Sequence, residues 1–144
     1  MSADDAGRPG DLVLADLVQE LSRRLRRAHR RRLEPLGLTP AQGRALTEVD
    51  RAGGQLRMAE LAEALHVVPR SATGVVDGLV EAGLLERGPD PADRRSVLVA
   101  PTAAGRALLD DLAAVREAAA ADLFGRLSAA DRVRLRTLLE QAAG

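Results

Sequence analysis

Residues 58–101 read MAELAEALHVVPRSATGVVDGLVEAGLLERGPDPADRRSVLVAP, and the breaks in this stretch decide the fold. Met58, Leu61, Ala62 and Leu65 recur at helical spacing and lie on one side of a short helix. HVV interrupts it. Pro69 then stands in the first turn of a second helix, where its fixed φ and missing N–H do no harm, and Gly83 stops that helix after Ala82. Beyond Gly83 the period changes. LLERG and SVLVA are short runs, the second β-branched, and PDPADRR lies between them, so the pattern predicts a two-stranded hairpin with a mobile tip.

The flanks are helical. Upstream, Thr39-Pro40-Ala41-Gln42 forms a capping box with proline at the first helical position, and Ala45, Leu46 and Val49 continue that helix towards Gly53 and Gly54. Before it, Leu14, Leu17, Val18, Leu21, Leu25 and Ala28 mark a long helix to about Leu33. Its opposite face carries most of an arginine run, LSRRLRRAHRRR at 21–32; Arg32 alone falls in line with the apolar stripe. Downstream, Leu108, Leu109, Leu112, Val115, Ala119 and Leu123 mark another long helix, and Ser128 to Asp131 caps a last one. Residues 1–10 lack periodicity and read as a flexible tail.

Composition excludes several functions. With no cysteine there is no disulfide, thiolate metal site or thiol redox sensor. A single aromatic residue, Phe124, leaves no stacking platform for single strands. His29 and His66 have no nucleophile or metal partners at recognisable spacing, and no glycine-rich phosphate loop occurs, so neither catalysis, a metal nor a cofactor is expected. No apolar stretch is long enough for a membrane span, and the reading is of a cytoplasmic protein.

Short helix, break, second helix and charged hairpin follow one another in the order of a winged helix-turn-helix. In that arrangement the second helix enters the major groove, the only groove wide enough for it and the one with a full donor and acceptor code. The hairpin's arginines then reach phosphates or the adjacent minor groove.

The chain resembles the MarR (multiple antibiotic resistance) family of transcriptional regulators over about residues 12–143. The resemblance rests on LTPAQGRAL, on the stretch quoted above, and on the wing, where Asp93, Arg95, Val99 and Thr102 match the family spacing D-x-R-x-x-x-V-x-L-T. Pro101 replaces the usual leucine and puts the strand's last pairing in question. The resemblance implies a mostly α fold with a small β-wing. It also implies homodimers built from the terminal helices, double-stranded DNA as partner, and small phenolic or anionic effectors. Domain organisation is then a tail at 1–10, a dimerisation helix at 11–36, a DNA-binding lobe at 37–101 and C-terminal dimerisation helices at 102–144.

Carried over by position, Arg70, Ser71, Thr73 and Gly74 occupy the exposed first half of the recognition helix, and Arg94 and Arg95 the wing. Asp93 is expected to pair with an arginine and hold the wing's shape. Plainer alternatives stand beside these roles: local capping for Ser71, solvent exposure for Thr73, solvation of a turn for Arg94 and Arg95. From Arg57 to Pro101 five arginines face seven acids, so the lobe is slightly acidic. That leaves open a rival reading, a helical interaction protein whose winged helix binds protein. The favoured reading is a sequence-specific regulator on a pseudo-palindromic operator, repression being the expected mode.

Overall fold

A computed structural model describes residues 9–144. Most of the expected tail, residues 1–8, lies outside the described residues. The helices are α1 (Gly10–Leu33), α2 (Pro40–Arg51), α3 (Met58–Leu65), α4 (Pro69–Glu81), α5 (Ala103–Phe124) and α6 (Ala129–Ala143); the strands are β1 (Leu56–Arg57), β2 (Leu85–Asp90) and β3 (Asp93–Pro101). None of the described helices is long and apolar enough to cross a membrane.

The chain divides into two compact units, one formed by its two ends, up to His29 and from Arg116 onward, the other by Arg30–Val115. In the terminal unit the apolar stripe of α1 is largely uncovered: Leu14 is 62% exposed and Leu17 53%. Leu138 on α6 is 60% exposed. His29 is half-buried, and that burial, with Arg116 close by, pulls its pKa below the ordinary value, so it stands neutral at pH 7.

The central unit holds a continuous apolar core. Leu33, Leu38, Ala45, Leu46, Val49, Leu61, Leu65, Val76, Leu79, Leu85, Val99 and Leu112 pack there, and each large side chain so buried contributes about 1.5–3 kcal/mol. Helix starts follow the side chains available. Thr39 Oγ1 accepts from the Gln42 amide at 3.2 Å while Gln42 returns a bond to the Thr39 amide at 3.0 Å. Ser128 Oγ accepts from the Asp131 amide at 3.1 Å.

The sheet has three strands in the order β1-β3-β2, all antiparallel, where the sequence suggests two. Leu56 pairs with Val99 and Arg57 with Leu98, a bridge too short to impose a period of two on the sequence. The wing is also paired further than PDPADRR suggests, from Leu85 opposite Pro101 to Asp90 opposite Asp93, leaving only Pro91 and Ala92 between the strands. Pro101 keeps its place at the strand end, where a missing N–H is tolerated. Between Pro89 opposite Val97 and Asp90 opposite Asp93 the register shifts, so Arg94, Arg95 and Ser96 have no partners on β2. This is a bulge, the device that re-aims side chains at the rim of a sheet.

Candidate nucleic-acid interface

α3 ends at His66, whose φ of 54° makes it the one non-glycine residue with positive φ among those described. The left-handed residue lets the Val67 amide reach back to Ala62 O at 3.1 Å and turns the chain into α4. Arg44 of α2 reinforces the corner by donating to Leu65 O at 2.6 Å.

On α4, Ala72, Val76 and Leu79 recur at four and three and are buried. Arg70, Ser71, Thr73 and Gly74 therefore share the exposed surface. Thr73 Oγ1 donates to Pro69 O at 3.0 Å, which fixes its rotamer and leaves the hydroxyl oxygen as an acceptor. A Cβ built on Gly74 would meet nothing within 4 Å, so no packing demand within the described structure calls for glycine there. Gly78 differs: its Cβ would come within 2.8 Å of Gln42 Nε2, so a side chain there would require the Gln42 amide to move. The helix begins with Pro69 and Arg70, without an acid in the first turn or a side-chain cap. Its positive end is left open, a favourable site for a phosphate.

The wing is fixed by contacts distant in sequence. Arg57 Nε donates to Asp90 Oδ2 at 2.7 Å, and Asp90 Oδ1 accepts from the Ala92 amide at 2.9 Å. That amide bond and the arginine hold the Asp90 carboxyl below its usual pKa, against the opposing effect of burial. Arg87 of β2 pairs with Asp77 on α4, joining wing to recognition helix. Thr102 Oγ1 donates to Gly83 O at 2.6 Å and accepts from the Gly105 amide at 3.1 Å, so one hydroxyl ties the wing's end to the α4 terminus and caps α5.

Asp93 departs from the expected arginine pair. Its Oδ1 accepts from the Arg95 amide at 2.9 Å and its Oδ2 from Ser96 Oγ at 3.0 Å. A residue at the mouth of a two-residue turn is nearest its own backbone, and the buried Asp90 takes the arginine instead. Asp93 shapes the bulge that carries Arg94 and Arg95.

These contacts sort the lobe's arginines. Arg57 and Arg87 are neutralised by Asp90 and Asp77, whereas Arg70, Arg94 and Arg95 are exposed and make no ion pair among the described residues. Sequence reasoning missed both pairs because their members lie 33 and 10 positions apart, beyond any local spacing rule.

A MarR family model matches residues 36–96. The HTH-type transcriptional repressor Rv2887 of Mycobacterium tuberculosis is 33% identical over 135 residues, 94% of this chain and 96% of that protein. Among solved structures, a mutant of Escherichia coli MarR in complex with operator DNA superposes with a TM-score of 0.79 at 29% identity, covering 91% of this chain and 94% of that one. BpsR of Bordetella bronchiseptica, from a structure describing the regulation of its DNA binding by 6-hydroxynicotinic acid, gives 0.77 at 29% identity, with 91% and 98% covered. With such a relative matched along nearly its whole length, and with a recognition helix and paired wing in place, the chain belongs to the MarR family of winged helix-turn-helix transcriptional regulators.

Proposed function

We propose that the chain is a cytoplasmic repressor that binds a pseudo-palindromic operator as a homodimer, α4 of each protomer lying in one of two successive major grooves about one helical turn apart. The observation that carries this reading is the sorting of arginines. Of the five in residues 57–101, the two that form ion pairs hold the wing, and the three without carboxylate partners, Arg70, Arg94 and Arg95, sit on the surfaces that would face DNA. Arg94 and Arg95 bind phosphate or the adjacent minor groove, while Ser71, Thr73 and Gly74 line the groove-facing side of α4. Open helix N-termini and the doubling of every contact in a dimer offset the lobe's acidity.

Dimerisation is assigned to residues 11–36 and 102–144. Leu12, Leu14, Leu17 and Val18 on α1 and Val133, Leu138 and Leu139 on α6 leave apolar surface that a second copy would cover. Repression follows from occlusion of the promoter, and a small anionic or phenolic effector releases it, in keeping with the control of BpsR by 6-hydroxynicotinic acid. The test is a mobility-shift titration with the gene's own upstream region, together with a mass measurement at micromolar concentration. Selective binding by a dimer is expected. A monomer, or binding without sequence preference at low salt, contradicts the reading.

A further inference from the structure

We propose that Val68 is a specificity residue that reads a thymine C5-methyl group in each half-site. The inference rests on the placement of α4 in the major groove proposed above. Val68 occupies the N-cap of α4, with φ −68° and ψ 152°. Valine is among the poorest residues at that position, because it has no oxygen to accept the first free amides. Three other helices use hydroxyls for the purpose: Thr39 caps α2, Ser128 caps α6, and Thr102 accepts the Gly105 amide at the start of α5, while α3 starts at Arg57, whose amide is held by Glu60. Packing does not explain the side chain at α4 either, since Val68 is 64% exposed.

Its neighbours share this character. Val67 is 39% exposed, and Pro69 is exposed as well. With Ala59, Ala62, Glu63 and His66 these three line an open, mainly apolar hollow at the helix-turn-helix corner. Val68 and Pro69 lead directly into the exposed Arg70, Ser71, Thr73 and Gly74 of α4, so Val68 stands at the leading end of that helix. In a major groove the apolar group that base edges present is the thymine methyl. A β-branched side chain with few rotamers, at the leading end of the recognition helix, suits that contact and meets no hydrogen-bonding demand there.

The test replaces thymidine by deoxyuridine, which lacks only this methyl, at each position of the footprinted duplex in turn, in one or both half-sites. Wild-type protein should show one symmetry-related position where the replacement weakens binding about fourfold in one half-site and about fifteenfold in both, the effect of removing one or two buried methyl groups. Val68→Ala should weaken binding to the thymidine duplex similarly and be indifferent to deoxyuridine at that position. Val68→Ser, which restores a capping oxygen, should melt no lower than wild type yet share the indifference, separating readout from folding. Full deoxyuridine sensitivity in Val68→Ala, or none at any position in wild type, overturns the assignment while operator binding stands. Failure of wild type to bind the unmodified duplex overturns both the assignment and the proposed function.

Discussion

Arg57 Nε lies 2.7 Å from Asp90 Oδ2 although the two residues are 33 positions apart, and this contact joins the short first strand to the far end of the wing. Asp90 is buried and also accepts the Ala92 amide. The amide bond, and then the arginine, lower its pKa in the folded chain, so the unfolded chain takes up the proton more readily. The resulting stabilisation is complete above the ordinary carboxylate value of about 4 and is lost as pH falls through the lower folded value. Asp90→Asn should therefore melt lower than wild type at neutral pH and lose part of the decline in stability below pH about 4. Thermal melts across the acid range would show this; parallel curves for the two proteins would contradict it.

Gly74 sits in the middle of a helix, exposed, with open space where a Cβ would stand. Gly74→Ala should raise stability by about 0.5–1 kcal/mol, since alanine loses less backbone freedom in a helix. If α4 lies in the major groove as proposed, the substitution should also weaken operator binding, because the added methyl would stand between helix and DNA. Urea unfolding and operator titration on the same preparation test the opposition. A stabilised variant with unchanged affinity would show that this face of α4 stays clear of the DNA.

Thr102 makes two bonds with one hydroxyl, to Gly83 O and from the Gly105 amide. Thr102→Ala should cost about 1–2 kcal/mol of stability, and Thr102→Ser should restore most of it. Nearby, a Cβ on Gly105 would crowd against Leu84 O, so Gly105→Ala should lower the melting temperature. Equal melting of Thr102→Ala and wild type would show that Thr102 does not hold the wing's end.

The arginine run of α1 divides in the same way as the lobe's arginines. Glu20 pairs with Arg23 and Arg24, each at 2.9 Å, and lies 3.8 Å from Arg27, whereas Arg26 and Arg30 have no such partner among the described residues. If the run steers DNA through its field, removing Arg26 and Arg30 should weaken binding to specific and unrelated duplexes alike, about two- to fivefold at low salt. Removing Arg23 should do less. Weakening confined to the operator would instead make these arginines part of sequence readout.

Much of the fold was legible because its signals are local. A capping box at Thr39, proline at the start of α4, glycine after its end and the Met58-Leu61-Ala62-Leu65 spacing of α3 each act within a few residues, and they set the order of elements. β1 was not legible, since two residues carry no period. The wing's extent of pairing was hidden for a related reason: PDPADRR is turn-rich in composition, but the Asp90 contact with Arg57 and the Asp93 bonds to Arg95 and Ser96 hold it in paired form. The arginine assigned to Asp93 went to Asp90 because burial and reach, invisible in a linear motif, select the partner.

If the exposed arginines of the wing bulge bind DNA, the salt dependence of operator affinity must report it. Each neutralised phosphate contributes about 0.9 to the slope of log affinity against log salt. If each protomer of a dimer neutralises one phosphate through this pair, Arg94→Ala combined with Arg95→Ala should reduce that slope by about 2 and weaken binding most at low salt. A variant that keeps both the affinity and the slope of wild type would contradict the placement of the wing on DNA.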